Sequence, residues 1–273
     1  ISVVSNVVVP LEVLLAERLL FLPSVGWALA IGGFFGAARF RDSSIRRHIT
    51  MVAAATVVLA FAARSVGRAG VWRTNEVLFR QLLLDAPDSF RAHWAIGGMA
   101  FERGDSALGE REMLTAVRLY PNNAELLREL GMLYASTDRY PPAIPLLERA
   151  VEIDSTVVST GLALALALGR TERYPDAMVV LDAMTRLHGE TEASLVVRGE
   201  VLSQSGDAAG ALAQFEELTR RAPDAWRYRM LAAQASALAG RCDVARAQAD
   251  TARQLALTAG QSPPTLDDSG LCR

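Results

Sequence analysis

The sequence carries one motif twice, RYPPA at 139–143 and RYPDA at 173–177, with the two copies 34 residues apart. A Gly-Asp pair keeps the same spacing, because the pair at 104–105 returns three periods later at 206–207. A period of this length accommodates two helices and a turn, and such periods are typical of solenoids built from stacked helical units. The region from 90 to 260 is therefore predicted to form five helical hairpins in register.

The register can be checked where the two helices of a hairpin must approach closely. Each unit carries a small residue in its first helix, another in its second helix, and a further slot for a bulky residue one turn later. In that order the units give Gly97, Gly109 and Met113; Gly131, Ala143 and Leu147; Ala165, Ala177 and Leu181; Gly199, Ala211 and Phe215; and Ala233, Ala245 and the degenerate Ala249. Small residues allow close approach and bulky ones fill the remaining space. The pattern resembles the tetratricopeptide repeat (TPR) and predicts an all-α superhelical array.

The units are predicted at 90–123, 124–157, 158–191, 192–225 and 226–259. Before them, Thr74 is expected to cap a short helix that ends at Pro87, so that 69–89 forms a bridging half-repeat. After them, the tail at 261–273 has Pro, Ser, Asp and Gly in place of periodic apolar residues, and we expect it to be flexible.

Composition argues against several functions. Of the 273 residues, 28 are basic and 30 acidic, and the net charge of −2 argues against a nucleic-acid surface. The histidines at 48, 93 and 188 are isolated in the sequence. No motif for a metal cluster, P-loop, dinucleotide or nucleophile elbow is present, so we expect neither a metal site nor a cofactor in this chain.

The N-terminal part is predicted to lie in a membrane. Residues 19–38 contain no charge and have about the length that a membrane helix needs. A second apolar segment, at about 48–65, is shorter and spans only if the arginines at its end reach the interface. The basic segment between the two is predicted to be cytoplasmic. With two crossings, the array would lie outside the cytoplasm, on the periplasmic or lumenal side of a multi-pass protein.

Stretches outside the repeats resemble one family. AERLLFLPSVG at 16–26 is similar to the AERLLYLPS-G signature of TPR-bearing membrane O-mannosyltransferases, the TMTC type of the GT-C glycosyltransferase superfamily, with Phe21 where Tyr is usual. Ser5-Asn6 upstream resembles the same segment, and WRTNEVLF at 72–79 with Pro87-Asp88 resembles the family's bridge to its first repeat. The order of signature, membrane helices, bridge and array also matches.

The resemblance implies a multi-span enzyme that transfers a sugar from a polyprenyl-phosphate carrier to a protein hydroxyl. Residues 1–68 would then be the C-terminal part of its membrane domain, with membrane lipid and lipid-linked sugar as partners. The family's usual catalytic carboxylates lie in an early loop that this sequence does not contain, so no catalytic residue is expected here, and a metal in that loop is left open. Ile1 opens inside an apolar run, and we expect a longer protein. The alternative is a membrane-anchored TPR scaffold without chemistry.

Glu17 and Arg18 lie at the predicted membrane boundary and have two interpretations. In one, the Arg18 guanidinium pairs with the carrier phosphate, whose geometry it matches with two parallel hydrogen bonds, and Glu17 orients Arg18 or binds the acceptor. In the other, the two residues form an interfacial ion pair that anchors a helix end.

The first helix of each unit is predicted to line a concave groove that binds an extended polypeptide. In the first unit, His93, Ile96, Gly97 and Ala100 share a stripe that packs into the array. The opposite stripe is predicted to face the groove, with Arg91, Trp94 and Phe101 from the first unit, Glu125, Arg128 and Met132 from the second, and Leu162 and Leu166 from the third. Exposed aromatic, Met and Arg side chains are typical anchors of binding surfaces. Alternatively, Trp94 and Phe101 pack against the bridging helix or the membrane domain, an interpretation we favour for Trp94.

The two cysteines, Cys242 and Cys272, also have two interpretations. In an oxidising compartment, a disulfide between them would hold the tail to the last helix pair and contribute about 3–4 kcal/mol by restricting the unfolded chain. Otherwise they are unrelated thiols, with Cys242 a small buried apolar residue.

Overall fold

The computed structural model describes residues 52, 55–63, 66–67 and 70–262. The predicted membrane helix at 19–38, the signature with Glu17 and Arg18, and Cys272 lie outside these residues. The chain divides after Arg73 into two compact units, an N-terminal unit and a C-terminal unit. In the N-terminal unit, residues 55–63 are helical and Gly70–Trp72 form a short 3-10 helix. Within the described residues, no helix combines the length and the hydropathy needed to cross a membrane.

The C-terminal unit, as far as it is described, consists of α-helices joined by short turns. The helices are α1 (Asn75–Asp85), α2 (Phe90–Glu102), α3 (Ser106–Leu119), α4 (Ala124–Ser136), α5 (Tyr140–Ile153), α6 (Val158–Arg170), α7 (Tyr174–His188), α8 (Glu192–Gln204), α9 (Ala208–Arg221), α10 (Trp226–Leu238) and α11 (Cys242–Thr258). From α2 onwards they form five successive hairpins. We call the first helix of each hairpin A and the second B. The predicted all-α array is confirmed.

Several helices begin at a side-chain cap that the sequence provides. Thr74 accepts a hydrogen bond from the Val77 amide at the start of α1. Asp105 and Asp207 likewise each accept a hydrogen bond from a backbone amide in the first turn of the helix that follows, α3 and α9. The B helices α5 and α7 have no such cap and instead carry a proline in their first turn, at Pro141 and Pro175. The missing proline N–H costs little there, since it would have no partner within the helix.

The turn from helix A to helix B uses one left-handed residue in every hairpin. Glycine takes this position in three units, with φ of +81° at Gly104, +89° at Gly206 and +71° at Gly240. In the second and third units the same slot holds Asp138, with φ of +56°, and Glu172, with φ of +62°. A residue with a Cβ pays about 1 kcal/mol or more for this conformation. The turn geometry is therefore kept even where glycine is absent.

The small and bulky slots of the repeat interlock as predicted. A Cβ added at Gly97 would lie 2.6 Å from Met113 Cγ, and one added at Gly199 would lie 2.4 Å from Phe215 Cε1. Gly131 faces Leu147 in the same way, with 2.7 Å to Leu147 Cγ. The bulky partners are all buried. The close approach of helices A and B thus depends on glycine where the opposing side chain is largest.

The array has an inner side formed by A helices and an outer side formed by B helices. Each hairpin packs on the next through its B helix and the following A helix, as in the α5–α6 and α9–α10 contacts. The A helices α4, α6 and α8 also pack directly on one another. Among the described helices, no two successive B helices contact each other as extensively as these A helices do. Contacts between A helices alone are expected when an array curves with these helices on its concave side.

His93 connects the array to the turn that precedes it. Its ring nitrogens lie 2.7 Å from Glu112 Oε2 on α3 and 2.9 Å from the Pro87 carbonyl oxygen. Ile96, Gly97 and Ala100, which share its predicted stripe, are buried. The stripe that was predicted to pack into the array therefore does so.

Candidate protein-binding groove

Trp94 bridges the first two A helices. Its Nε1 donates a hydrogen bond to Glu129 Oε2 on α4 over 2.7 Å, and its half-buried ring packs against the central hydrophobic cluster. The ring thus lies across α2 and α4 with its polar edge paired. Glu129 was not predicted as the partner, since the two residues are 35 positions apart and lie in different units.

Phe101, which was predicted to face the groove, is half-buried against the second helix of its own hairpin. A Cβ at Gly109 would lie 2.6 Å from Phe101 Cδ2 and 2.8 Å from Cε2, so the ring occupies the space beside this glycine between α2 and α3. Helix periodicity places Phe101 at the edge of the inner stripe, and the missing Gly109 side chain lets the ring turn into the hairpin.

Leu162 is not a groove residue, which corrects the prediction. Only 8% of it is exposed, and it belongs to the central hydrophobic cluster. The physical reason is that α6 packs directly on both α4 and α8, so that neighbouring A helices cover part of the stripe that periodicity assigned to the groove. Leu166, one turn further along α6, stays partly exposed.

The second unit presents the predicted residues at the surface. Met132 is 41% exposed, and Arg128 lies 3.7 Å from Glu125 Oε1 in a weak ion pair. In the first unit, the Arg91 guanidinium lies 5.6 Å from the centre of the Phe90 ring. An apolar thioether beside a charged pair is a suitable contact for an extended chain with mixed side chains, because methionine adapts to irregular surfaces.

The fourth unit contributes a groove residue that was not predicted. Adding one period to Met132 and then to Leu166 leads to Glu200, a half-buried carboxylate on α8. Burial raises the pKa of Glu200, and the charge of Arg170 partly offsets this rise. On the same helix, the Gln204 Oε1 atom is buried without a hydrogen-bond partner. Extending the slot by one more period would have identified Glu200, but not its burial.

The other predicted sites remain predictions. Among the described residues, no group of three His, Cys, Asp or Glu side chains is placed to hold a metal ion. Cys242 begins α11, and its predicted partner Cys272 lies outside the described residues, so the disulfide stays a prediction. Glu17 and Arg18 lie outside them as well.

Comparison with known proteins agrees with the repeat register. The family model described as tetratricopeptide repeat matches residues 100–157 and 196–260. The hairpins within these residues match the tetratricopeptide repeat. Solved structures share the fold: the MamA protein has a TM-score of 0.55 at 20% identity and covers 66% of this chain and 99% of its own. A TPR protein from Parabacteroides merdae reaches 0.61 at 14% identity and covers 70% of this chain and 73% of its own. YrrB, titled a TPR protein with an unusual peptide-binding site, gives 0.51 at 18% identity, covering 67% and 97%.

Curated relatives carry the predicted family name. Protein O-mannosyl-transferase TMTC1 from Mus musculus is 28% identical over 131 residues, which is 47% of this chain and 14% of the relative. Protein O-mannosyl-transferase TMTC4 from Homo sapiens is 32% identical over 109 residues, 39% of this chain and 14% of the relative. The predicted resemblance to TMTC O-mannosyltransferases is confirmed. The matches span about one seventh of each relative's length.

Proposed function

We propose that this chain is the C-terminal portion of a multi-pass membrane glycosyltransferase similar to the TMTC O-mannosyltransferases, and that its TPR array captures a protein segment in the groove of A helices. The observation that carries the proposal is the similarity to these relatives, together with the signature at 16–26 that precedes the array. A polyprenyl-phosphate-linked sugar would be the donor and a protein hydroxyl the acceptor.

The array would bind the acceptor protein at a distance from the site of sugar transfer. Remote contacts help a transferase when they hold the acceptor close to the reacting groups, since orientation lowers the entropic part of the barrier. The groove offers Arg128 and Met132 in the second unit and Leu166 in the third as contacts. YrrB, with the same fold, is described as having a peptide-binding site, which supports this use of the groove.

The membrane portion would place the array outside the cytoplasm and Arg18 near the carrier phosphate. Guanidinium groups match phosphate oxygens with two parallel hydrogen bonds, which supports the choice of Arg18 over Glu17 for this contact. A bridge between Cys242 and Cys272 would fit an oxidising compartment.

Transfer is tested with membranes from cells that express the complete protein. We expect incorporation of radiolabelled sugar from polyprenyl-phosphate-mannose, or from the corresponding glucose or galactose carrier, into protein. Arg18→Ala should lower the rate at least about tenfold, whereas Arg46→Ala, in the predicted cytoplasmic segment, should leave it unchanged. Failure to use any of these carriers would contradict the glycosyltransferase and favour the alternative, a membrane-anchored scaffold.

Capture by the groove is tested separately with the pair Arg128→Glu and Met132→Asp. Both side chains are at least partly exposed, so the pair should leave helical content and thermal melting intact. We expect loss of polypeptide binding, measured by fluorescence anisotropy with degenerate nine-residue peptides. A matched pair on the outer face, Arg186→Glu with Val179→Asp, controls for the change in charge. Equal losses in the two pairs would contradict binding by the inner face.

A further inference from the structure

We propose that the fourth unit of the groove contains a subsite for a basic side chain, Lys or Arg, of the bound polypeptide. Glu200 and Gln204 on α8 form its two acceptors, and the end of α6 forms its wall. The inference rests on the groove function proposed above and adds the chemistry of the partner.

The two acceptors lie side by side on the inner face of the array. Glu200 and Gln204 are four positions apart on α8, and residues at this spacing are neighbours on one helical face, with about 5–6 Å between their Cβ atoms. Gln204 also touches the wall, since a Cβ at Gly169 of α6 would lie 3.2 Å from Gln204 Oε1. The absence of a side chain at Gly169 leaves the room in which the amide lies.

Neither acceptor has a donor. Gln204 Oε1 is a buried atom without a hydrogen-bond partner, and such an atom costs about 1–3 kcal/mol when it is left unpaired. Buried polar atoms in folded proteins are nearly always paired, which makes this atom an exception that requires a reason. Within the part of the chain that the structure describes, Glu200 forms no hydrogen bond and no ion pair shorter than 4.0 Å. A ligand that brings several N–H groups would reach the half-buried Glu200 carboxylate directly, and the Gln204 oxygen once its amide rotates out of the buried position.

The local charge favours a cation. Arg170 follows Gly169 and is close enough for its charge to act on Glu200. Tyr140, at the start of α5, is influenced by both of these charges and donates a hydrogen bond to Asp138 over 2.7 Å. The charges that act on Tyr140, beside the site, are therefore two carboxylates, Asp138 and Glu200, and one guanidinium, Arg170. The Glu200 carboxylate, which has no hydrogen-bond partner of its own among the described residues, attracts a basic side chain, whose ammonium or guanidinium group carries only donors.

The subsite is specific to one unit. The slot of Glu200 holds Gly98, Met132, Leu166 and Gln234 in the other four units. The groove therefore offers apolar contacts at the second and third units and a carboxylate at the fourth. A polypeptide lying along it would present an apolar segment to α4 and α6 and a basic residue to α8.

The test uses the whole chain and four pools of fluorescein-labelled nine-residue peptides, with Arg, Lys, Ala or Glu fixed at the centre and a mixture of neutral residues elsewhere. Dissociation constants are measured by anisotropy at low salt. We expect the Arg and Lys pools to bind at least about tenfold more tightly than the Ala pool, which is the size of effect that close charge pairs at interfaces give. Glu200→Gln should reduce this preference to less than about twofold while the Ala pool binds as before. Glu148→Gln, a carboxylate on the outer helix α5, is the matched control and should keep the preference.

The outcomes separate this inference from the proposed function. If no pool binds, both the groove function and the subsite are overturned. If the pools bind equally well, or the Glu pool binds best, the groove function stands and the subsite is overturned. Should Glu200→Gln fail to fold, judged by thermal melting, Gln204→Leu takes its place, because it removes an unpaired acceptor without leaving a charge. That variant should retain stability and lower the Arg preference about threefold, and an unchanged preference would overturn the subsite.

Discussion

The central units and the last hairpin fill the same slots with side chains of different size. In the centre, a glycine or alanine on helix A faces Leu147 or Leu181 on helix B, and these leucines are buried in one cluster that runs from α3 to α8. In the last hairpin, Ala233 faces Ala245 and Ala249 in a small cluster of their own. Both arrangements keep the helices close, but the second buries less apolar surface. At about 0.8 kcal/mol per buried methylene, the difference concentrates stability in the centre of the array.

The largest expected effect is the loss of a central leucine. Leu147 is 0% exposed and fills the space beside Gly131, so Leu147→Ala should lower the free energy of unfolding by about 2–5 kcal/mol. Urea denaturation followed by circular dichroism measures the change. Leu187→Ala, at a side chain 61% exposed on the outer face, should change it by less than about 0.5 kcal/mol. Equal losses of stability at the two positions would mean that the buried slot of Leu147 contributes no more to folding than an exposed position.

Overpacking of the same slot should cost somewhat less. A Cβ at Gly199 would meet the Phe215 ring at 2.4 Å, so we expect Gly199→Ala to destabilise the array by about 2–3 kcal/mol. Adding Phe215→Leu reproduces the Ala165 and Leu181 combination of the third unit and should recover part of the loss. The recovery is measured as the coupling energy of a double-mutant cycle, and strict additivity would show that the two slots do not compensate.

A buried tyrosine makes the central region sensitive to alkaline pH. Tyr134 donates a hydrogen bond to Glu110 over 2.8 Å, and Glu110 also accepts from Arg139 at 2.7 Å. Burial, with the Glu110 carboxylate, raises the pKa of Tyr134 to about 12. The unfolded chain ionises near pH 10, so this stabilisation is complete below about pH 10 and is lost as the pH rises towards about 12, by roughly 2 kcal/mol.

Tyr134→Phe isolates this effect from the other tyrosines. The variant should be less stable than wild type at neutral pH, since Glu110 loses a donor, but it should show a smaller decline between pH 10 and pH 12. Hydrogen bonding to Glu192 also raises the pKa of Tyr228, in the first helix of the last hairpin. Tyr228→Phe therefore serves as a comparison, and a larger change in alkaline sensitivity there than at Tyr134 would contradict the assignment.

The smallest effect concerns the left-handed turns. The first, fourth and fifth units use glycine there, whereas Glu172 adopts φ of +62° in the third unit. Glu172→Gly should therefore stabilise the array by about 0.5–1 kcal/mol, seen as a higher urea midpoint. Asp138→Gly should gain less, because the Asp138 carboxylate accepts a hydrogen bond from Tyr140 that glycine cannot replace. A larger gain at Asp138 would contradict this explanation.

The site was predicted in part. The repeat register identified the inner stripe, and Met132 and Arg128 are partly or largely exposed, as that register requires. It misplaced Leu162, because the pattern of residues on one helix does not show which neighbouring helix covers them. It also missed Glu129 as the partner of Trp94, since that hydrogen bond joins two different units.

The sequence by itself determined the period, the helix pairs and the interlocking slots of this protein. These features depend on contacts within one hairpin, which a repeat of 34 residues records directly. Only the tertiary structure decided which side chains remain available in the groove and which polar groups lack hydrogen-bond partners, as at Glu200 and Gln204. The physical reason is that burial and pairing depend on how successive A helices pack on one another, and the identity of a residue does not fix its neighbours across that contact.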